Sequence, residues 1–207
     1  MKKVPIQKRE SLSLASQEDF KTFAFSEENK KKVKEILCRY PEGRQASAIL
    51  PLFDLAQRQC GGWLPKSAIE KVTEILSVPV MRGYEVATFY SLFNLNPIGK
   101  YHVQICGTTP CMLRGSEDLK KACENHLEIS CGETTNDGLF TLNEVECIGA
   151  CANAPAVQIN DDYYEDLNEE NFLNILIDLG EGREVKPGSA IGRQGSAPIK
   201  RDEHVKK

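Results

Sequence analysis

The stretch YHVQICGTTPC, residues 101–111, joins a run of strand composition to a loop that carries Cys106 and Cys111. It has a counterpart downstream. Residues 139–146, LFTLNEVE, alternate apolar and polar as a half-buried strand does, follow the Asp137-Gly138 turn signal, and lead into CIGAC at 147–151. Between them LRGSEDLKKACENHL has a helical pattern, so residues 101–105 and 139–146 are expected to be parallel neighbours joined by a helical crossover. The carboxyl ends of the two strands then lie side by side, and both cysteine pairs converge on one spot.

Further on, AVQI and YYED flank Asn160, Asp161 and Asp162 as a hairpin. Asn168 is placed to cap a last helix with Glu169 and Glu170 in its first turn, an apolar stripe of Phe172, Ile175, Leu176 and Leu179, and Gly180 as its stop. Strand, helix, strand, strand, strand, helix is a small thioredoxin-like arrangement. Upstream, residues 25–96 have the pattern of a helical bundle. Ser26 precedes a helix with Val33, Ile36, Leu37 and Tyr40 on one face; QASAILPLFDLAQRQC starts a second; Pro65 suits the first turn of a third. In VPVMRGYEVATFYSLFNLNP a fourth segment is apolar on most sides, as expected of a helix buried between others. The fold class is α+β, divided as an N-terminal arm at 1–24, the bundle at 25–96, a thioredoxin-like domain at 97–182, and a tail at 183–207. The tail combines Pro, Gly, Ser and charge, and is expected to be extended or disordered when alone.

At 207 residues the chain buries a real core without covalent staples. A formal charge of −4, from 26 basic and 30 acidic residues, gives no footprint for nucleic acid or an anionic membrane. No run approaches the roughly 18 to 20 apolar residues of a membrane span, and residues 1–20 lack the apolar core of a secretory signal. A cytosolic chain without direct membrane insertion is expected, so its eight cysteines favour metal ligation or buried thiols over a disulfide framework.

Four thiolates in a C-x4-C and a C-x3-C loop suit a 2Fe-2S centre, with Cys106 and Cys111 on one iron and Cys147 and Cys151 on the other. Gly107, Gly149 and Ala150 allow close approach of backbone, and Thr108 and Thr109 are possible hydroxyl donors. Zinc, disulfides and an inert core remain open on spacing alone, although zinc commonly uses tighter C-x2-C knuckles. Cys38, Cys60, Cys123 and Cys131 are expected to be ordinary buried or partly exposed thiols. His102, His126 and His204 are scattered, and the acidic run DDYYEDLNEE has turn and helix-start chemistry. The aromatic EVATFYSLF is expected in a core or subunit contact.

At CGTTPC and VECIGACANAP the chain resembles the family of the thioredoxin-like 2Fe-2S subunit, the E subunit, of NADH:quinone oxidoreductase, respiratory complex I. YPEGRQASAILPL, GGWLP, EVATFYSLF, HVQICGTTPCMLRG, DGLFTLNEVECIGACANAP and VQINDDYYEDL extend the likeness from about residue 25 to 180. The resemblance implies one 2Fe-2S cluster on Cys106, Cys111, Cys147 and Cys151, with no departure at these positions. It also implies a partner flavoprotein subunit that binds FMN and NADH, other peripheral-arm subunits, and a place at the cytoplasmic side of a bacterial inner membrane. The cluster is expected to exchange one electron with the flavin, without catalysis by the isolated chain. The equivalent diaphorase subunit of an NAD-linked hydrogenase or formate dehydrogenase, or a zinc-stapled scaffold, is the alternative. This chain has neither a GxGxxG fingerprint nor a P-loop of its own.

Overall fold

The computed structural model describes residues 21–196, which divide into two compact units, 21–98 and 99–196. The expectations for residues 1–20, for His204 and for the end of the tail fall outside the described residues.

In the first unit the Ser26 hydroxyl accepts the Asn29 N–H at 3.2 Å and caps α1 (Glu27–Cys38), satisfying one of the donors that every helix start leaves unpaired. A 3-10 turn at Gln45–Ala48 leads into α2 (Ile49–Gln59), where Pro51 stands in the first turn and its missing N–H costs nothing. Pro65 and Pro79 immediately precede α3 (Lys66–Leu76) and α4 (Val80–Phe89), so Pro65 is a cap and not a first-turn residue. Leu52, Phe53, Ala56, Ala68, Ile69 and Val72 form the centre of the core. A Cβ on Gly83 would lie 2.4 Å from Thr73 Cγ2 and 2.9 Å from Ile69 Cγ2, so α4 approaches α3 more closely there than any other residue permits.

That narrow contact corrects one expectation. The fourth helix is not buried between others: its buried residues are Gly83 and Ala87, while Met81 and Phe89 on it and Leu92 beyond its end are 68%, 79% and 52% exposed. The fourth helix packs on the core through Gly83 and Ala87, with Tyr84 and Val86 half-buried beside them.

The second unit is built on a sheet of order β2-β1-β3-β4-β5. β1 (Tyr101–Cys106) and β2 (Phe140–Val145) are parallel, with Tyr101 opposite Phe140 and Cys106 opposite Val145. The crossover is two helices where one was expected, α5 (Thr109–Leu113) and α6 (Ser116–Leu127), because the chain turns at Gly115 with φ of +99°. β3 (Val157–Ile159) and β4 (Asp162–Glu165) form the hairpin, and Asp162 belongs to the strand. Its two-residue turn places Asn160 at φ +55°, which Asn tolerates well.

Alternation sorts the strands into two faces. Val103, Ile105, Phe140 and Leu142 face α6 and α7 (Glu169–Gly180), which supply Leu119, Cys123, Leu127, Phe172, Leu176 and Leu179 to the same core. Asn168 and Asn171 close a reciprocal capping box at the start of α7. Each large apolar side chain buried here stabilises by about 1.5–3 kcal/mol.

On the opposite face His102 is buried, with Asn143 Nδ2 2.8 Å from its Nε2. Burial pushes its pKa down to about 4, so the folded state holds the neutral ring. The unfolded chain binds a proton near pH 6.5 that the folded chain refuses until about pH 4. Stability from this site is therefore lost as pH falls through that window. Replacing His102 by Gln is expected to flatten the pH 4 to 6.5 limb of a urea-unfolding series relative to the unsubstituted protein.

Residues 183–196, expected to be extended or disordered alone, form a short strand and a turn that are tied to their own domain. β5 (Gly188–Ser189) pairs in parallel with β4, Tyr164 opposite Gly188. The Arg193 guanidinium beside Asp166 holds that carboxyl below the usual carboxylate range, although burial opposes the shift. Asp166 thus has a role beyond turn and helix-start chemistry. Among the described residues no helix is long and apolar enough to cross a membrane.

Candidate metal centre

The parallel register delivers both cysteine pairs to one end of the sheet. Cys106 is the last residue of β1, and Cys111 lies in the first turns of α5; both are buried. Cys147 follows β2 by two residues, and Cys151 opens a 3-10 turn at Cys151–Asn153; both are exposed, with their sulfurs 3.8 Å apart. The site is closed on its α5 side and open on its 147–151 side.

Small residues bring these loops together. Ala150, Ala154 and Ala156 pack with Cys106 and Cys111 in a separate buried cluster, flanked by Ile148 and Tyr163. The Tyr163 hydroxyl donates to the Ile148 carbonyl at 2.8 Å and fixes the second loop from below. A Cβ on Gly107 would lie 2.4 Å from Glu144 Oε1, so a side chain there displaces a carboxylate bound to Lys120 at 2.6 Å. Gly149, at φ +85°, reverses the second loop. The Ala154–Pro155 peptide, just past the last cysteine, is cis.

Hydrogen-bond donors are aimed at the sulfurs. Burial opposes ionisation of Cys106, but the Thr108 hydroxyl at 3.3 Å, the N–H groups of Ile148 and Thr108 and the Cys111 thiol outweigh it and lower its pKa. Burial pushes Cys111 up to about 11, against the Ala156 N–H and with the help of Cys106 and Cys151. The neighbouring Cys147 thiol raises Cys151. Burial and the neighbouring thiols hold Cys111 back, and the Cys147 thiol holds Cys151 back, so a cationic metal beside them would favour their thiolates.

Among the described residues no group of three or more His, Cys, Asp or Glu side chains stands close enough together to hold a metal ion as it is. The thiols instead stand as two pairs, with backbone donors around them. That donor set fits a binuclear iron–sulfide core, which takes two thiolates per iron. The other four cysteines stand apart from this arrangement. Cys38 is exposed, Cys60 is buried with its thiol pushed up to about 11, and Cys123 is buried and pushed up to about 12. Cys131 is half-buried.

A thioredoxin-like sheet with cysteine-bearing loops at the ends of adjacent parallel strands defines the class as a ferredoxin of the thioredoxin-like kind. Sequence comparison agrees: residues 33–180 match the family described as thioredoxin-like 2Fe-2S ferredoxin. The NADH-quinone oxidoreductase E subunit of Rickettsia typhi is 60% identical over 162 residues, covering 75% of this chain and 95% of that protein. Dictyostelium discoideum mitochondrial NADH dehydrogenase (ubiquinone) flavoprotein 2 is 49% identical over 174 residues, covering 84% and 70%. Among solved structures, an NAD+-reducing NiFe-hydrogenase in the air-oxidized state shares the fold with a TM-score of 0.56 at 21% identity, over 63% of this chain and 23% of that one. The chain belongs to the thioredoxin-like 2Fe-2S ferredoxin family, in the branch formed by the E subunits of NADH-quinone oxidoreductase.

Proposed function

We propose that Cys106, Cys111, Cys147 and Cys151 hold one 2Fe-2S cluster, and that this chain carries one electron at a time to and from the FMN of a partner flavoprotein subunit within an NADH-quinone oxidoreductase. The observation that carries this is the meeting of two cysteine pairs at the carboxyl ends of two parallel strands, where Cys106 is level with Val145. The cluster, when bound, supplies a reversible one-electron couple whose potential depends on hydrogen bonds to its sulfurs and on solvent exposure.

The residues of this chain hold and tune it. Thr108 and the N–H groups of Ile148, Thr108 and Ala156 stabilise negative charge on sulfur. The alanine cluster excludes water on the buried side. The open side faces outward through Cys147 and Cys151, and Met112 and Leu113 beside Cys111 are 48% and 76% exposed. Apolar side chains at the rim of an electron-transfer site suit a permanent protein contact, and the flavoprotein subunit is assigned to it. No side chain is needed as acid, base or nucleophile; the oxidoreductase activity belongs to the assembled complex, with other peripheral-arm subunits, at the cytoplasmic side of a bacterial inner membrane. A diaphorase subunit of a hydrogenase would use the same chemistry, but 60% identity to the Rickettsia typhi oxidoreductase subunit against 21% to the hydrogenase favours the first assignment.

The test mixes chemically reduced, desalted chain with its oxidised flavoprotein subunit under anaerobic conditions. The paramagnetic signal of the reduced cluster is expected to fall as flavin absorbance bleaches, electron for electron. A complex that forms without any such transfer would overturn the proposal.

A further inference from the structure

The turn carrying Cys151 is held from outside by the residues after the last helix. Arg193 Nη2 donates to the Ala152 carbonyl at 2.6 Å, one residue beyond Cys151. The same guanidinium grips Asp166, Nε at 3.0 and 3.1 Å and Nη2 at 2.6 Å. Buried Asn153 donates from Nδ2 to Asp166 Oδ2 at 3.2 Å and to the Gln194 carbonyl at 2.9 Å, and Ser189 Oγ donates to Asp166 Oδ2 at 2.6 Å.

The segment has its own anchors on β4. The Ala190 N–H donates to the Glu165 carbonyl at 2.9 Å, and the Ser196 N–H to the Glu165 carboxylate at 2.9 and 3.0 Å, in a side chain that is almost wholly buried. So Ala152 and Asn153 are fastened to a strap that is itself fastened to the sheet. Gly149 between the exposed cysteines supplies little stiffness, and the Tyr163 bond reaches only Ile148.

We propose that residues 188–196 are a retention strap for the cluster, and that Arg193 is a positioning residue that holds Cys151 in the orientation its metal requires. This rests on the ligand assignment proposed above. A planar guanidinium clasps a carboxylate with two donors while a donor of the same fork reaches a carbonyl; a lysine ammonium is a point donor and does not reproduce that geometry. A ligand oriented by fixed neighbours releases metal more slowly than one on a free loop.

The test uses the full, cluster-loaded chain and times iron loss to a chelator without oxygen. R193A is expected to release iron about tenfold faster or more, with a shifted signal from the reduced cluster. R193K is expected to fall between R193A and the unsubstituted chain. R183A, which removes ion pairs to Asp178 and Glu181 at the far end of α7, is expected to match the unsubstituted chain. Equal rates for R193A and the unsubstituted chain overturn the strap; equal rates for R193K and the unsubstituted chain overturn the positioning role in favour of charge alone. An unsubstituted chain that takes up no 2Fe-2S cluster overturns the ligand assignment itself, and is seen before any variant is made.

Discussion

Cys147→Ser is expected to leave the protein folded while its iron content after anaerobic gel filtration falls at least about tenfold, whereas Cys123→Ala keeps its iron. Cys147 is exposed on a loop and lies 3.8 Å from Cys151, so the substitution removes a sulfur without disturbing a core. A serine hydroxyl is less acidic than a cysteine thiol and its oxygen is a harder donor, so it is a poor substitute on iron–sulfide. Cys123 differs in kind. It is fully buried between α6 and the sheet, and burial first, then Cys131 and Glu124, push its thiol up to about 12. Its replacement by Ala removes roughly 1 kcal/mol of apolar burial and no ligand. Equal iron loss from both variants would mean that the four ligands have been misassigned.

Phe172→Ala is expected to lower the unfolding free energy of residues 99–196 by about 3–5 kcal/mol. Phe172 is fully buried on α7 among Leu176, Leu119 and the inner face of the sheet. The deleted ring leaves a cavity that the β1 and β2 ladder is too rigid to fill, so the lost transfer energy is joined by lost contacts. A domain of this size has only about 5–15 kcal/mol in hand, so the variant should sit near its folding threshold at physiological temperature. The checking measurement is a urea titration of the metal-free chain, with a lower midpoint and an unchanged slope. A loss below about 1 kcal/mol would place Phe172 outside the core.

The parts of the fold that were legible in the sequence are those governed by short-range rules. Ser26 and Asn168 announce helix starts because their side chains meet N–H groups three residues on. The two strands that carry the site were legible from composition and alternation, and their parallel pairing from the helical segment between them. Convergence of Cys106 and Cys111 with Cys147 and Cys151 follows from that pairing.

What was not legible depends on partners far along the chain. Asp166 and Arg193 are 27 residues apart, and no periodicity links them. A two-residue strand such as Gly188–Ser189 is below the length at which alternation is visible. The Pro, Gly and Ser composition that marks residues 183–196 as unable to build a core says nothing about docking on one already built. Glu165 shares a face of β4 with half-buried Tyr163 yet is itself buried, and nothing in the acidic run announces that. The fourth helix misled for the opposite reason. Its apolar residues indicate that something is covered, but Met81, Phe89 and Leu92 are uncovered within their own unit, and pattern alone cannot separate a core face from a subunit contact.

The central claim is that four cysteines at one end of a thioredoxin-like sheet hold iron and sulfide. Anaerobic purification of the full chain, followed by metal and sulfide analysis and paramagnetic resonance after reduction, tests it most directly. A red-brown protein with about two irons and two sulfides per chain and a one-electron signal is the expected result; colourless protein with stoichiometric zinc and no signal would contradict it.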